Sequence, residues 1–272
     1  MKSFKYINCG CRSGVAVFPV SGCLEVIKEG DTNGFVLVEA SEWSEGFCEF
    51  VKEANELGFD LYRSFPHKNA NQVMIGVKSS IKVLGVNDLP NVAPQHFTGR
   101  GVGVNSVSSG EVVKPNYLHV TLETDEGPLD LIGARIPSYT QFKNGNMPTA
   151  KCYNAALCSF RMLLEALDND LLNERAVLLV DSNSALHYGD FYGPYDPDCY
   201  KGKAQKNYNL QIFRDELFSH SLILKEGLND CSWFHGIHLD HALFKGIDVE
   251  RARVSFHSKE CFDHSWIEVE LP

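Results

Sequence analysis

Four carboxylates, one amide and one histidine stand where apolar runs of this chain stop. Glu39 ends Phe35-Val36-Leu37-Val38, and Asp181 and Asn183 follow Val177-Leu178-Leu179-Val180. Asp240 follows Ile237-His238-Leu239, and Asp263 and His264 precede Ser265-Trp266-Ile267. Burying an unpaired charge is costly, so a charge at the end of an apolar strand needs a partner, solvent or a metal. Brought to one rim, such a set suits phosphate ester hydrolysis. Hard oxygen ligands hold Mg²⁺, which neutralises transition-state charge and helps activate water. A carboxylate can position or deprotonate that water while an adjacent amide sets its geometry. A histidine can donate to the phosphate, with an acid holding its tautomer.

The elements that must position these residues read as mixed strands and helices. Phe4 to Asn8 is a short strand entering a glycine turn. Gly34 to Glu39 is an unbroken apolar run, which suits a strand buried on both faces. Trp43, Phe47, Phe50, Val51, Ala54 and Leu57 recur at helical spacing, with Ser41 as cap and Gly58 as terminator. Strands follow at Val73 to Val77, Ile81 to Leu84, Tyr117 to Thr124 and Leu129 to Ile136. The last two flank Asp125-Glu126-Gly127-Pro128, which has hairpin-turn chemistry. Ala150 to Leu172 is the clearest helix, and Ala176 to Val180 is another buried strand. Tyr188 to Lys206 reads as a long surface loop, and loops of that length are often functional. Leu210 to Phe218 is a short helix, and Ile237 to Phe244 and Ser265 to Leu271 are closing strands. With no clean break in composition, residues 1–272 are expected to form one domain.

The totals narrow the function classes. A chain of 272 residues with 44% apolar content buries a sizeable core. No apolar run is long enough to span a membrane, and Met1 to Asn8 has no apolar signal region. Nine scattered cysteines, an odd number, read as free thiols in a reducing cytosol. The formal net charge of −10 argues against a broad phosphate-tracking surface, though not against a small carboxylate metal site.

Five segments in order resemble the motifs of the endonuclease/exonuclease/phosphatase superfamily, in its deoxyribonuclease and AP-endonuclease-like branch. Tyr6-Ile7-Asn8 resembles the first-strand Asn motif, and Val36-Leu37-Val38-Glu39-Ala40 the strand that ends in Gln-Glu. Val180-Asp181-Ser182-Asn183 resembles Gly-Asp-Phe-Asn, Leu239-Asp240-His241 the Ile-Asp-His strand, and Phe262-Asp263-His264 the terminal Ser-Asp-His. The resemblance spans almost the whole chain. It implies a four-layer α/β/β/α sandwich of two mixed sheets flanked by helices, and direct attack by water with Mg²⁺ or Mn²⁺. It also implies roles. Asn8 and Glu39 bind the metal, with Asp263 supporting that side. Asp181 positions or activates the water, Asn183 orients water or phosphate, and Asp240 pairs with His264, which contacts the scissile phosphate. The chain departs from the pattern at Val38, Val180, Ser182 and Phe262. It departs most at Gly133-Ala134-Arg135-Ile136-Pro137, where the family often has Asn-x-His. Arg135, whose guanidinium matches phosphate geometry, is a candidate substrate contact together with Arg100 and Tyr139.

Plainer readings stand beside these. Glu39 alone also suits a helix N-terminus, and Asp181-Ser182-Asn183 is ordinary turn chemistry. Asp240 also has His238 and His241 as local partners. His235, His238 and His241 would group on a helix as zinc ligands, but the sequence around them suits a strand equally well and no Cys-x-x-Cys accompanies them. Gly99-Arg100-Gly101-Val102-Gly103 lacks the following helix that a dinucleotide fingerprint needs. Lys201, Lys203 and Lys206 lie in the Tyr188 to Lys206 loop with Tyr192, Tyr195 and Tyr200, a mixture that binds single strands or lies solvated. The expected activity is therefore metal-dependent phosphodiester hydrolysis in the cytoplasm, on nucleic acid and away from membranes. The alternatives are a phosphatase or phosphodiesterase for a small phosphorylated metabolite or inositol phosphate, and an inactive binding protein on the same fold.

Overall fold

The computed structural model describes residues 2–10, 17–64, 72–88, 115–136, 160–168, 173–183, 222–224, 239–262 and 264–272. Its strands are β1 (Lys2–Asn8), β2 (Thr32–Ala40), β3 (Phe59–Arg63), β4 (Gln72–Lys78), β5 (Val83–Asn87) and β6 (Asn116–Leu122). They continue as β7 (Leu129–Arg135), β8 (Ala176–Asp181), β9 (Ile223–Leu224), β10 (Asp240–Lys245), β11 (Arg253–His257) and β12 (Trp266–Leu271). Helices α1 (Val20–Lys28) and α2 (Phe47–Glu56) precede and follow β2.

The strands form two six-stranded sheets, ordered β11-β12-β1-β2-β4-β3 and β5-β6-β7-β8-β10-β9. Both are mixed: β1 runs parallel to β2, and β7 parallel to β8, while the other pairs are antiparallel. Alternation along each strand builds the layer between the sheets. Phe4 and Tyr6, Val36 and Val38, Leu129 and Leu131, and Val177 and Leu179 all enter that common core. At Gly133 the sheets come so close that an added Cβ would lie 2.5 Å from Val73 and 2.6 Å from Val36.

The opposite face of the first sheet carries Ile7, Phe35, Leu37 and Met74 under the two helices. Cys23, Leu24, Val26 and Ile27 of α1 and Phe47, Phe50 and Ala54 of α2 pack there. Each fully buried large apolar side chain adds about 1.5–3 kcal/mol. The outer face of the second sheet is also buried along Ile132, Ala134, Leu178, Val180 and Leu243. The helical stretch 160–168 is buried at Phe160, Leu163, Leu164 and Leu167. This is the expected sandwich of two mixed sheets with helices.

Several boundaries differ from expectation. The second helix starts at Phe47, not near Trp43, with Gly46 at its N-cap. Ser41 caps a turn instead, its Oγ accepting from Trp43 N at 3.4 Å. Trp43 is exposed, so helical spacing grouped a surface tryptophan with a buried face. Gly58 does terminate that helix, with φ +78°. The β6–β7 hairpin forms as expected, Gly127 N donating to Thr124 O across the turn. Four elements carried too weak a sequence signal: α1, which has no side-chain cap, and the edge strands β3, β9 and β11. Tertiary burial makes up for weak local propensity there. Among the described residues no helix is long and apolar enough to cross a membrane.

Candidate functional site

The inward rows of several strands change from apolar to polar at the same rim. Phe4 and Tyr6 lead to Asn8, Leu129, Leu131 and Gly133 to Arg135, and Val177 and Leu179 to Asp181. From the opposite direction, Asp240 precedes Ala242 and Phe244 in β10. Register aligns them: Arg135 pairs with Asp181 across β7 and β8, and Asp181 with Asp240 across β8 and β10. The ends of β1 and β2 and the start of β12 form the facing rim, because β12 runs antiparallel to β1. Tying the segments together, Ser182 N donates to Leu239 O and Ile136 N to Asp181 O.

Glu39 reaches this rim through a β-bulge. Between Leu37 and Ala40 the second strand uses one residue more than β4 does between Met74 and Gln72. The bulge shifts the facing pattern by one. Val38 enters the core between the sheets, while Ala40 packs under the helices. Glu39 sits at φ 54°, a left-handed conformation uncommon for a glutamate. Its carboxylate is thereby directed across the gap to Arg135 of the second sheet, and the two are ion-paired. Asn183 is the other left-handed non-glycine residue described, at φ 48°. Asparagine tolerates that conformation. Asn183 N donates to Asp181 Oδ1 at 2.9 Å, and its Nδ2 donates to Asp181 Oδ2 at 3.0 Å and to Ile136 O at 2.7 Å. The turn reading of Asp181-Ser182-Asn183 thus holds, and the turn lies at this rim. Left-handed strain costs on the order of 1–3 kcal/mol per residue and tends to collect at functional sites.

The histidine lies beside this set. His264 Nδ1 is 2.5 Å from Asp240 Oδ2, so Asp240 pairs with His264. Tyr6 OH donates to the other oxygen, Asp240 Oδ1, at 2.6 Å. Asn8 Nδ2 contacts Asp181 Oδ2 at 3.4 Å, Asp240 Oδ1 at 3.3 Å and His264 Nδ1 at 3.4 Å. Its Oδ1 accepts from Gly10 N at 3.1 Å. Asp240 thereby holds the imidazole through Nδ1.

Burial makes the electrostatics strong. Asp240 is 0% exposed, Asp181 1% and Arg135 6%. Burial and then the charge of Asp240 push the Asp181 carboxyl up to about 7, against opposing pulls from Arg135 and His264. Asp240 itself is held below the ordinary carboxylate range. Burial acts to raise it, but His264 and the hydrogen bonds from His264, Tyr6 and Asn8 outweigh that. Tyr6 is raised well above its usual value by burial and then by Asp240 and Asp181, so it remains a hydrogen-bond donor. The guanidinium of Arg135 is raised as well: burial acts against its charge, but Glu39 and Asp181 outweigh it. Arg135 Nε lies 3.4 Å from Asp181 Oδ2, a charge contact not angled as a hydrogen bond.

Of the residues expected from sequence, Asn8, Glu39, Arg135, Asp181, Asn183, Asp240 and His264 are brought together. Asp263, Arg100 and Tyr139 lie outside the described residues. So do His235, His238, Tyr188 to Lys206 and Leu210 to Phe218, while His241 is on a strand, not a helix, and wholly buried. Arg135, a candidate substrate contact, is engaged with Glu39 and Asp181. Tyr6 was read only as part of the Asn8 motif. Its signal was parity, since it shares an inward row with Asn8 and a buried tyrosine hydroxyl needs a partner. Among the described residues, no three His, Cys, Asp or Glu side chains are already grouped as a metal cage.

No protein-family model matches the chain, and no curated protein matches it in sequence. Solved structures do match over their full length. A 3′-5′ exonuclease (NExo) from Neisseria meningitidis aligns with TM-score 0.59 and 13% identity, covering 99% of each chain. An AP endonuclease from Archaeoglobus fulgidus aligns with TM-score 0.61 and 12% identity, covering 100% of this chain and 99% of that one. ANGEL2, a 2′,3′-cyclic phosphatase, aligns with TM-score 0.58 and 14% identity, covering 99% of this chain and 95% of its own. Sheet order, the strand rows and these full-length alignments agree that the chain has the fold of the endonuclease/exonuclease/phosphatase superfamily.

Proposed function

We propose that this protein is a divalent-metal-dependent phosphodiester hydrolase, with a nucleic acid as the favoured substrate. The observation that carries the reading is the buried His264–Asp240 pair, set beside Asp181 and Asn183 at the rim that Asn8 and Glu39 also reach. In this reading Asp181 positions the attacking water and takes its proton, since a carboxyl pushed up toward neutrality is a better base than an ordinary one. Asn183 holds Asp181 through two hydrogen bonds and orients the water. His264, fixed at Nδ1 by Asp240, contacts the scissile phosphate through Nε2. Tyr6 supports Asp240 from below.

The residues present fit a divalent cation by charge and donor type. Among the described residues Glu39 and Asp181 share one permanent cation, Arg135, with Asp240 close by, and Asp181 is raised first by burial and then by the charge of Asp240. Oxygen donors of this kind suit Mg²⁺ or Mn²⁺. Glu39 and the Asn8 carbonyl would hold the ion, with Asp263 supporting that side. When bound, the ion supplies charge neutralisation at the phosphate and helps acidify water.

Similar structures support the substrate class. One neighbour is a 3′ phosphatase bound to a product DNA hairpin, and another carries a single-strand DNA product. The net charge of −10 favours, as a second reading, a small phosphorylated metabolite, and the cyclic phosphatase ANGEL2 shares this fold. The proposal includes a cytoplasmic location, which suits Cys23, Cys48 and Cys261, none of which is in a disulfide.

The test is a hydrolysis panel with Mg²⁺, Mn²⁺ or EDTA, offering single- and double-stranded DNA, RNA, bis-p-nitrophenyl phosphate and inositol phosphates. Metal-dependent cleavage that disappears in Asp181→Ala supports the reading, and the substrate cleaved chooses between nuclease and phosphatase. No cleavage by the wild type under any metal sinks it and favours an inactive binding protein on this fold.

A further inference from the structure

We propose that Arg135 competes with the divalent cation for Glu39, so that metal enters only as the Arg135–Glu39 ion pair opens. The inference rests on the metal-dependent reading above and deepens it. It starts from an arrangement that the resemblance did not imply. Arg135 extends the inward row of β7 one step beyond Gly133, which faces Val73 and Val36 of the other sheet at close range. From there its side chain spans to the other sheet and pairs through Nη2 with Glu39 Oε1. Its Nε lies beside Asp181 Oδ2 at 3.4 Å. One guanidinium thus lies against both a carboxylate assigned to the metal and the carboxylate assigned to the water.

Three features make this pair more than a surface contact. Arg135 is 6% exposed, so its charge is poorly served by solvent and depends on these acids. Glu39 is aimed at it by the bulge and by a strained backbone, not by a freely swinging side chain. Arg135 also sits opposite Asp181 in register, so strand pairing fixes its origin. A guanidinium cannot be discharged near neutral pH, so the contest for Glu39 is between two cations. In the absence of metal, Arg135 keeps the acidic rim assembled. With metal present, Glu39 changes partner and Arg135 is released from it. Its fork would then be free to meet a phosphate, the contact expected from sequence.

Two measurements test this. The first is Mn²⁺ binding by calorimetry to the full-length wild type and to Arg135→Gln, with thermal unfolding in EDTA alongside. Removing the competitor is expected to tighten Mn²⁺ binding about tenfold or more, since a partly buried ion pair no longer has to break. The variant should unfold at lower temperature than the wild type in EDTA, and the gap should close as Mn²⁺ is added. Equal or weaker Mn²⁺ binding by a folded variant overturns the competition and leaves the metal reading intact. A wild type that shows no Mn²⁺ binding at all removes the metal reading, and this inference with it. The second measurement needs no variant. The Arg135 Nε–H resonance of the wild type is followed during a Mg²⁺ titration. Competition predicts a shift and faster hydrogen exchange in step with saturation, and an unmoved signal at full saturation overturns it.

Discussion

Asp181→Asn should separate stability from activity, and in a pH-dependent way. The folded protein holds the Asp181 proton up to about pH 7, whereas an ordinary aspartate releases it near 3.8. Between those values the folded state binds the extra proton, so its stability falls as pH rises. This contribution is fully present below 3.8 and is lost as pH passes through about 7. About three pH units at about 1.4 kcal/mol each set an upper bound of about 4 kcal/mol. An amide cannot ionise, so the variant escapes that loss. It is also close in shape to the protonated acid, so the hydrogen-bond mismatch with Asn183, Asn8 and Arg135 is similar in both. Near pH 3.8 and below the two proteins should therefore unfold at similar temperatures. At pH 8 the variant should be ahead by about 2–4 kcal/mol, or roughly 5–10 °C for a chain of this size. The measurement is differential scanning calorimetry across that range in EDTA, because a bound cation would itself relieve the charge. Hydrolysis should be abolished at every pH. Wild-type and variant stability curves that run parallel from pH 5 to 8 would refute the claim that Asp181 is strained by uncompensated charge.

Asp240→Asn removes the charge that orients His264 and most strongly raises Asp181 among its neighbours. It should lower kcat by about 10²–10⁴-fold, and the acid limb of the pH–rate profile should move to lower pH. Tyr6→Phe deletes the 2.6 Å hydrogen bond to buried Asp240. It should cost about 1.5–3 kcal/mol in urea unfolding, and an unchanged midpoint would show that the Tyr6 hydroxyl contributes nothing. Gly133→Ala forces a methyl to within 2.5 Å of Val73 and 2.6 Å of Val36. It should destabilise by about 1–3 kcal/mol, whereas Gly85→Ala, with open space around it, should not.

The polar ends of apolar strands were legible in the sequence because strand alternation and the cost of burying charge are local rules. Those rules marked Glu39, Asp181, Asn183, Asp240 and His264, and the ordered motifs added Asn8. The same rules located the main strands of both sheets and the hairpin at Gly127. What they could not deliver was partnership across the sandwich. Whether Asp240 would pair with His241 beside it or with His264 in another strand depended on how two sheets align. So did the meeting of Tyr6 and Asp240, which are 234 positions apart. The bulge at Glu39 is invisible in the run Val36-Leu37-Val38-Glu39-Ala40, because the extra residue exists only relative to β4. Arg135 was readable as a cation near a strand end, but its commitment to Glu39 came from the facing sheet. The sequence by itself determined which strand ends turn polar, since that follows from patterns along single strands, but Glu39 gains the rim only through the bulge. Only the tertiary structure decided which of them touch, because contacts across the sandwich depend on distances between strands that no local pattern encodes.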